Sequence, residues 1–470
     1  LRERAQLGRL LFPANASETM IPLSRRRFIA AAAGVAATPV LSRAAPAADV
    51  DVVVIGAGAA GIAAARKLAA AGKSLRVFEA ENAVGGRCVT DTRLFGAPCD
   101  LGAHWLHMPD SNPLARLAPR AGVDVYAAPP GQKLRIGRRN AREGEMERFL
   151  SALVRARRAI EDASRKADLS CAQALPNDLD DWRASVEFNF GPFSCGKDLS
   201  EVSAQDFAKS WDRNADAFSR QGLGTLLAKL AEGLPVQTGT PVTAIESRPR
   251  GEVGVVTGKG RILARSVIVT ASTNVLASGK IAFAPDLPKR QLDALGRLRL
   301  GSYDHILLDL PGNPLGLQRD DLVFEKAAGP RTAALLANAG GTTLAYVDVG
   351  GGFGRDLAAK GPGEMIAFAQ DWLAGLFGAD MKQAVARSHA TQWNRAPWAL
   401  GAFSVASVGG QPSRRILMEP LRERILFAGE AAHETLWGTV GGAWESGERA
   451  ADAAIKLLAP PPERPQRRRR

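Results

Sequence analysis

Gly56, Gly58 and Gly61 stand at the spacing G-x-G-x-x-G, and the run Val52-Val53-Val54-Ile55 ahead of them is β-branched, as a buried parallel strand requires. After them the run IAAARKLAAAG, closed by Gly72, has the composition of a helix, and LRVFEA reads as a second strand reaching Glu79. The glycines alone would be weak evidence; strand, turn, helix and strand together make the spacing specific. Gly56 permits the tight turn, Gly58, followed by Ala59 and Ala60, lets a pyrophosphate approach the backbone, and Gly61 lets helix and strand pack closely. The helix N-terminus offers unpaired N–H groups and a partial positive charge to phosphates. Glu79, 23 residues after Gly56, is placed to bond a ribose hydroxyl and would repel a 2′-phosphate. The chemistry is dinucleotide binding.

Later segments extend the pattern. Ala83-Val84-Gly85-Gly86-Arg87 follows the second strand, and Arg424-Ile425-Leu426-Phe427-Ala428-Gly429-Glu430 reads as a last buried strand delivering an acid. Gly438-Thr439-Val440-Gly441-Gly442-Ala443 and the helical run WESGERAADAAIKLL come next. In this order the segments resemble the flavin-containing amine oxidase family. The resemblance implies FAD rather than NAD, with Gly85, Gly86 and Arg87 near the pyrophosphate and ribityl region and Gly429 and Glu430 at the ribityl chain. It sets Thr439 and Val440 at a helix N-terminus facing the flavin ring and Val242 near the adenine. The runs 236–242 and 266–270 are predicted strands of the same domain.

The segment Asp100-Leu101-Gly102-Ala103-His104-Trp105-Leu106-His107, continued by Asn112-Pro113, resembles the polyamine and spermine oxidase branch, as does Gly438-Thr439-Val440. The branch implies oxidation of an amine by hydride transfer to the flavin, giving an imine that hydrolyses to aldehyde and amine. His107 is expected to bond the substrate, His104 to be structural, and Phe403 and Trp437 to be aromatic walls. Thr439 stands where monoamine oxidases place an aromatic residue. Ala402 occupies the place of the cysteine that tethers flavin in monoamine oxidases, which implies non-covalent binding. Gly301–Leu308 aligns with a strand whose lysine, in most relatives, holds a water against the flavin. Here His305 stands at that position, with Lys280 as the alternative if the register differs. An imidazole's charge near pH 7 is conditional, so either oxygen or an electron carrier is open as the acceptor. The expected catalytic set is His305, Phe403, His107 and Thr439. Another flavin enzyme of the superfamily, an amino-acid oxidase or a desaturase, and a non-catalytic FAD-binding protein are the competing readings.

These residues need a scaffold, expected to be α/β: a Rossmann-like FAD-binding domain interleaved with an α+β substrate-binding domain. Residues 48–107, 221–280 and 401–460 are assigned to the first, and 108–220 and 281–400 to the second. Within the insertions EMERFLSALVRARRAIEDASRKA is an amphipathic helix and TTLAYVDVG a strand, while GGGFG at 350–354 is expected to be only a turn.

Charge and cysteines bound the rest. Of the net +13, residues 1–47 carry +5 and the tail 461–470 carries +4. The basicity therefore belongs to a leader and a solvated tail, and no nucleic-acid partner is expected. Ser24-Arg25-Arg26-Arg27-Phe28-Ile29 opens an apolar run to Leu41, and Ala45-Pro46-Ala47 is a small-x-small cleavage signature. The arginine pair resembles the twin-arginine signal, which implies a periplasmic protein without stable membrane insertion after cleavage. Translation is expected to start at Met20. Cys88, Cys99, Cys171 and Cys195 form neither a CxxC pair nor a zinc-like spacing, so no metal is expected; one disulfide is open in an oxidising compartment.

Overall fold

The structure, a computed structural model, describes residues 48–210, 215–248 and 251–459. The leader and twin-arginine segment of 1–47 and the basic tail of 461–470 lie outside the described residues.

Two large sheets carry the fold. In the first, the order is Val236–Gln237, Leu75–Phe78, Val50–Ile55, Gly260–Val269, Val253–Thr257, Val242–Ser247 and Ala282–Ala284, with Ile425–Phe427 also pairing with Gly260–Val269. Val50–Ile55 pairs in parallel on both sides, with Leu75–Phe78 and Gly260–Val269, and is buried on both faces. The unbroken valine run suits that environment. Helix Ala59–Ala70 crosses between the first two strands and packs on helix Val440–Leu458. The contact is alanine on alanine, and a Cβ on Gly447 would lie 2.0 Å from the Ala60 carbonyl. Only glycine lets these helices approach so closely.

The second sheet runs Arg387–Ala390, Tyr303–Asp309, Leu344–Gly350, Ala334–Ala337, Asp321–Glu325, Lys133–Ile136 and Arg139–Asn140. Helix Pro362–Phe377 contributes Met365, Phe368, Trp372 and Leu373 to the core beneath it. A small third sheet joins Leu106–His107, Asp216–Ser219 and Val125–Ala127.

The α/β architecture agrees with expectation, but four local readings change. The run 236–242 is not one strand: Val236–Gln237 and Val242–Ser247 lie in different places in the sheet, separated by Gly239 at φ +56°. The first sheet does not end at 280, because Ala282–Ala284 pairs with Val242–Ser247, and Ala294, Leu295 and Leu298 pack in its core. The last helix begins at Val440, ahead of the expected tryptophan. GGGFG is no mere turn: Gly351–Lys360 is a helix starting in that stretch. A Cβ on Gly350 would lie 2.2 Å from the Pro192 carbonyl, so close approach rather than a bend calls for that glycine.

A buried ion pair anchors the helical insertion to the C-terminal third. Arg414 and Asp206 are both fully buried and meet through two parallel bonds of 2.7 Å, Nε to Oδ1 and Nη2 to Oδ2. Removing either partner would strand a charge in the core.

Candidate active site

One cavity of about 430 Å³ takes lining residues from both large sheets, among them Ile55 and Phe78 at the C-terminal ends of their strands in the first and Tyr303 and His305 in the second. At one end it is lined by Gly56, Gly58, Ala59, Ala60, Glu79, Gly85, Gly86, Arg87 and Val242, and at the other by Trp105, His107, Phe193, Tyr303, His305 and Phe403. Gly429, Glu430, Thr439 and Val440 line its middle. The structure thus brings the expected site residues to one cavity wall, with the exceptions of Gly61 and Trp437, which do not line it.

The glycines there differ in what they do. A Cβ on Gly61 would fall 1.9 Å from the Gly56 carbonyl, so Gly61 is required by the protein's own packing. Gly58 is different. It forms a backbone bridge with Gly85, and an added Cβ would meet nothing nearer than the Gly85 carbonyl at 3.7 Å. The space its missing side chain leaves opens on the cavity, beside the N-terminus of Ala59–Ala70. A cradle of bare backbone at a helix N-terminus fits a pyrophosphate.

Glu79 is buried, and its carboxylate accepts from Ala57 N at 2.6 Å and Glu81 N at 2.9 Å. Burial pushes its pKa up against these two bonds. It therefore braces the glycine turn as well as lining the cavity where a ribose is expected.

Glu430 is the hub of the middle. Oε1 accepts from Arg87 Nη1 at 2.9 Å and Ser404 N at 3.1 Å, and Oε2 from the Ser404 hydroxyl at 2.6 Å and Gly438 N at 3.0 Å. Burial alone would raise its pKa; the Arg87 charge and the Ser404 bond outweigh it, so the group is held below the usual carboxylate range. Arg87 also donates to the Ala402 carbonyl. These two residues join the second glycine motif, the 402–404 loop and the last helix's approach.

Three expected roles change. The Thr439 hydroxyl accepts from Gly442 N at 2.9 Å and donates to the Leu436 carbonyl at 2.7 Å, capping helix Val440–Leu458. It aims the helix N-terminus at the cavity and is not a free catalytic hydroxyl. Trp437 is no wall: it is buried in the helical insertion's core, its ring beneath the Arg414 guanidinium at 4.9 Å. His305 is not placed to hold a water, since its Nδ1 lies 2.6 Å from Asp348 Oδ1 and its Nε2 2.8 Å from the Gly102 carbonyl. Its pKa is also shifted upward from that of an ordinary imidazole. Burial pushes its pKa down, but the Asp348 carboxylate and the bonds to Asp348 and Gly102 push it up further. Lys280, the alternative, is exposed and donates to the Pro397 carbonyl.

At the far end His107 Nδ1 lies 2.6 Å from Asp216 Oδ1, and the two residues face each other across an antiparallel pair. Phe403 and Tyr303 place their rings 6.0 Å apart. His104 is buried and stacks on His305 at 4.8 Å, and neither of its nitrogens has a hydrogen-bond partner in the protein. Burial first, then the neighbouring His305 charge, pushes its pKa down to about 3. Sequence reasoning missed Tyr303, Asp216 and Asp348. Tyr303 alone carried a signal, sharing a strand face with His305 two residues on.

The four cysteines are buried and no disulfide links any of them; of the four, only Cys88 lines the cavity. Burial pushes its thiol up to about 12. Among the described residues no helix is long and apolar enough to cross a membrane.

A family model described as flavin containing amine oxidoreductase matches residues 59–455. Among curated proteins, lysine-specific histone demethylase 2 of Homo sapiens is 25% identical over 451 residues, covering 85% of this chain and 53% of that protein. Polyamine oxidase 2 of Arabidopsis thaliana is 26% identical over 462 residues, covering 87% of this chain and 89% of that one. The chain thus spans about half the length of the demethylase but most of the polyamine oxidase. Among solved structures, cyclohexylamine oxidase from Brevibacterium oxydans IH-35A superposes with a TM-score of 0.74 at 22% identity, over 87% of this chain and 99% of that one. Wild-type putrescine oxidase bound to putrescine gives the same TM-score and coverages at 20% identity. These likenesses establish the fold.

Proposed function

The chain belongs to the flavin-containing amine oxidoreductase family, and from that premise we propose that it is an FAD-dependent oxidase or dehydrogenase of a polyamine or related amine. The carrying observation is that the glycine cradle and the aromatic residues Tyr303 and Phe403 line one and the same cavity. When bound, the flavin supplies the two-electron acceptor for the hydride leaving the amine's α-carbon, and the resulting imine hydrolyses to aldehyde and amine.

The protein's own residues divide the remaining work. Gly56–Gly61 and the helix N-terminus at Ala59 hold the pyrophosphate, Glu79 the adenosine ribose, Val242 the adenine side, and Arg87, Gly85, Gly86 and Gly429 the region between. Thr439 and Val440 set the second helix N-terminus. Phe403 and Tyr303 orient the amine and exclude water from it. His107, backed by Asp216, stands where a substrate nitrogen can be bonded. Binding is non-covalent, since Ala402 offers no thiol and that of Cys88 is kept protonated by burial.

An amino-acid oxidase needs a donor for the substrate carboxylate. Arg87 is the single arginine lining the cavity among the described residues, and it is bound to Glu430 and Ala402. That supports an amine without a carboxylate. The proposed setting is the periplasm, reached by the twin-arginine route, with oxygen or an electron carrier as acceptor. The test is anaerobic bleaching of the bound flavin by polyamines, monoamines and amino acids in parallel. Polyamines should bleach it fastest; preferential bleaching by amino acids, or none by any compound, would overturn the assignment.

A further inference from the structure

We propose that Asp348 is a positioning residue that keeps His305 a permanent imidazolium in the cavity wall, with Tyr303 fixing the carboxylate that does so. The inference rests on the cavity being the amine site only for its catalytic consequence; the charge itself is tested separately.

Geometry carries the argument. His305 and Asp348 stand directly opposite each other on antiparallel strands, Tyr303–Asp309 and Leu344–Gly350. Nε2 faces the Gly102 carbonyl at 2.8 Å, and a carbonyl oxygen only accepts, so Nε2 carries a proton. Nδ1 faces Asp348 Oδ1 at 2.6 Å, so a proton lies between them as well. The Tyr303 hydroxyl donates to Asp348 Oδ2 at 2.9 Å, and a carboxylate takes that bond better than an acid does. The second proton therefore belongs to the ring. His305 is 5% exposed and Asp348 1%, so water competes for neither bond.

The surroundings agree. His104, stacked on the ring, stays neutral, as a neighbour of a fixed cation must. Tyr346 stands edge-on at 5.5 Å and stays protonated. Asp304, next in the strand, adds a negative charge; burial pushes its pKa to about 6 while Thr391 and Trp393 bond one oxygen. Asp100 is a further acid held within the cation's field, with a pKa near 6 from burial. Asp348 is itself held below the usual carboxylate range, because the His305 charge and the bonds to His305 and Tyr303 outweigh its burial.

His305 lines the cavity and Asp348 does not, so the positive end of the pair faces the amine. A fixed cation there opposes an ammonium ion and favours the neutral amine, the form that can lose hydride. Both N–H groups are engaged, so the charge acts through space rather than by binding substrate. Unlike a free imidazole, it holds through the neutral range.

The test uses the flavin-bound protein with its five histidines labelled with 15N. In wild type the His305 nitrogens should keep imidazolium shifts at pH values above the ordinary imidazole midpoint of about 6.5. Asp348→Asn lets the amide donate to a neutral Nδ1, so the midpoint should fall by about 1–3 units or more. Tyr303→Phe should lower it less. The pH profile of anaerobic bleaching should gain a new inflection at the variant's His305 midpoint. A wild-type ring that titrates near 6.5, or an unchanged ring in Asp348→Asn and Tyr303→Phe, would overturn the proposal. The wild-type titration decides the charge even if one variant does not fold, and whichever amine is oxidised.

Discussion

Gly58 and Gly85 meet as a backbone bridge, and the side chain missing from Gly58 would touch the protein only at ordinary van der Waals distance. The two glycine motifs, 27 residues apart in sequence, thus form one cradle. Gly58→Ala should fold with an unchanged melting temperature when flavin-free proteins are compared, yet carry little flavin by absorbance. Gly58→Val should carry none. Gly61→Ala, driven onto the Gly56 carbonyl, should not fold at all. Normal flavin content in Gly58→Val would remove the pyrophosphate from this place.

Glu430→Gln should destabilise the protein on the order of 3 kcal/mol in urea unfolding, because an amide NH2 must then face donors that a carboxylate accepts from. The native pKa of Glu430 lies below its unfolded value. Its contribution is therefore full above about pH 4.5 and lost as pH falls through the native pKa. The variant should show a shallower loss of stability in that acid range than wild type.

His104 makes the opposite case, a buried ring that bonds nothing in the protein. His104→Phe should raise stability by about 1–2 kcal/mol by removing unpaired polar nitrogens while keeping the stack on His305. Its depressed pKa also means stability is full above about 6.5 and lost as pH falls toward 3, at up to about 1.4 kcal/mol per pH unit. Urea midpoints measured across that range should lose this slope in the variant. A destabilised variant would mean His104 has a partner in the working enzyme.

The flavin should come away from the protein in cold acid. Colour remaining with precipitated protein would identify a covalent bond, and Cys88→Ser would then show whether the one cysteine in the cavity makes it.

Replacing Arg25 and Arg26 by lysine keeps the charge but removes the pair that resembles the twin-arginine signal. The protein should then accumulate in the cytoplasm of a bacterial host. Undiminished periplasmic protein, or a mature N-terminus at Met20, would contradict export with cleavage near Ala47.

The cofactor half was legible because its signals are local. Strand, turn and helix around Gly56 follow one another between Val50 and Ala70, and Glu79 closes the unit soon after. What stayed hidden depends on partners distant in sequence. Nothing near His305 announces Asp348, because strand register decides their meeting. Trp437 read as a wall since sequence cannot tell an aromatic beside a cavity from one beneath it. Thr439 was the avoidable error: a threonine directly before a glycine-rich helix start is an N-cap signal in its own right. The glycines at 350–352 read as a turn because sequence shows flexibility and not the Pro192 carbonyl that excludes a side chain.

The order in which the first sheet is assembled also sets a schedule. Its earliest strand is Val50–Ile55, yet Ile425–Phe427 completes it, and the helix aimed at the cavity ends at Leu458. A chain emerging from the ribosome therefore displays the glycine cradle long before it possesses Glu430 or the capping Thr439. The cradle's exposed backbone must wait through most of synthesis, at about 5–20 residues per second. Tight capture of flavin is thus expected only once Glu430 and Thr439 have been made, and a chain truncated before residue 430 should be made, and degraded, colourless.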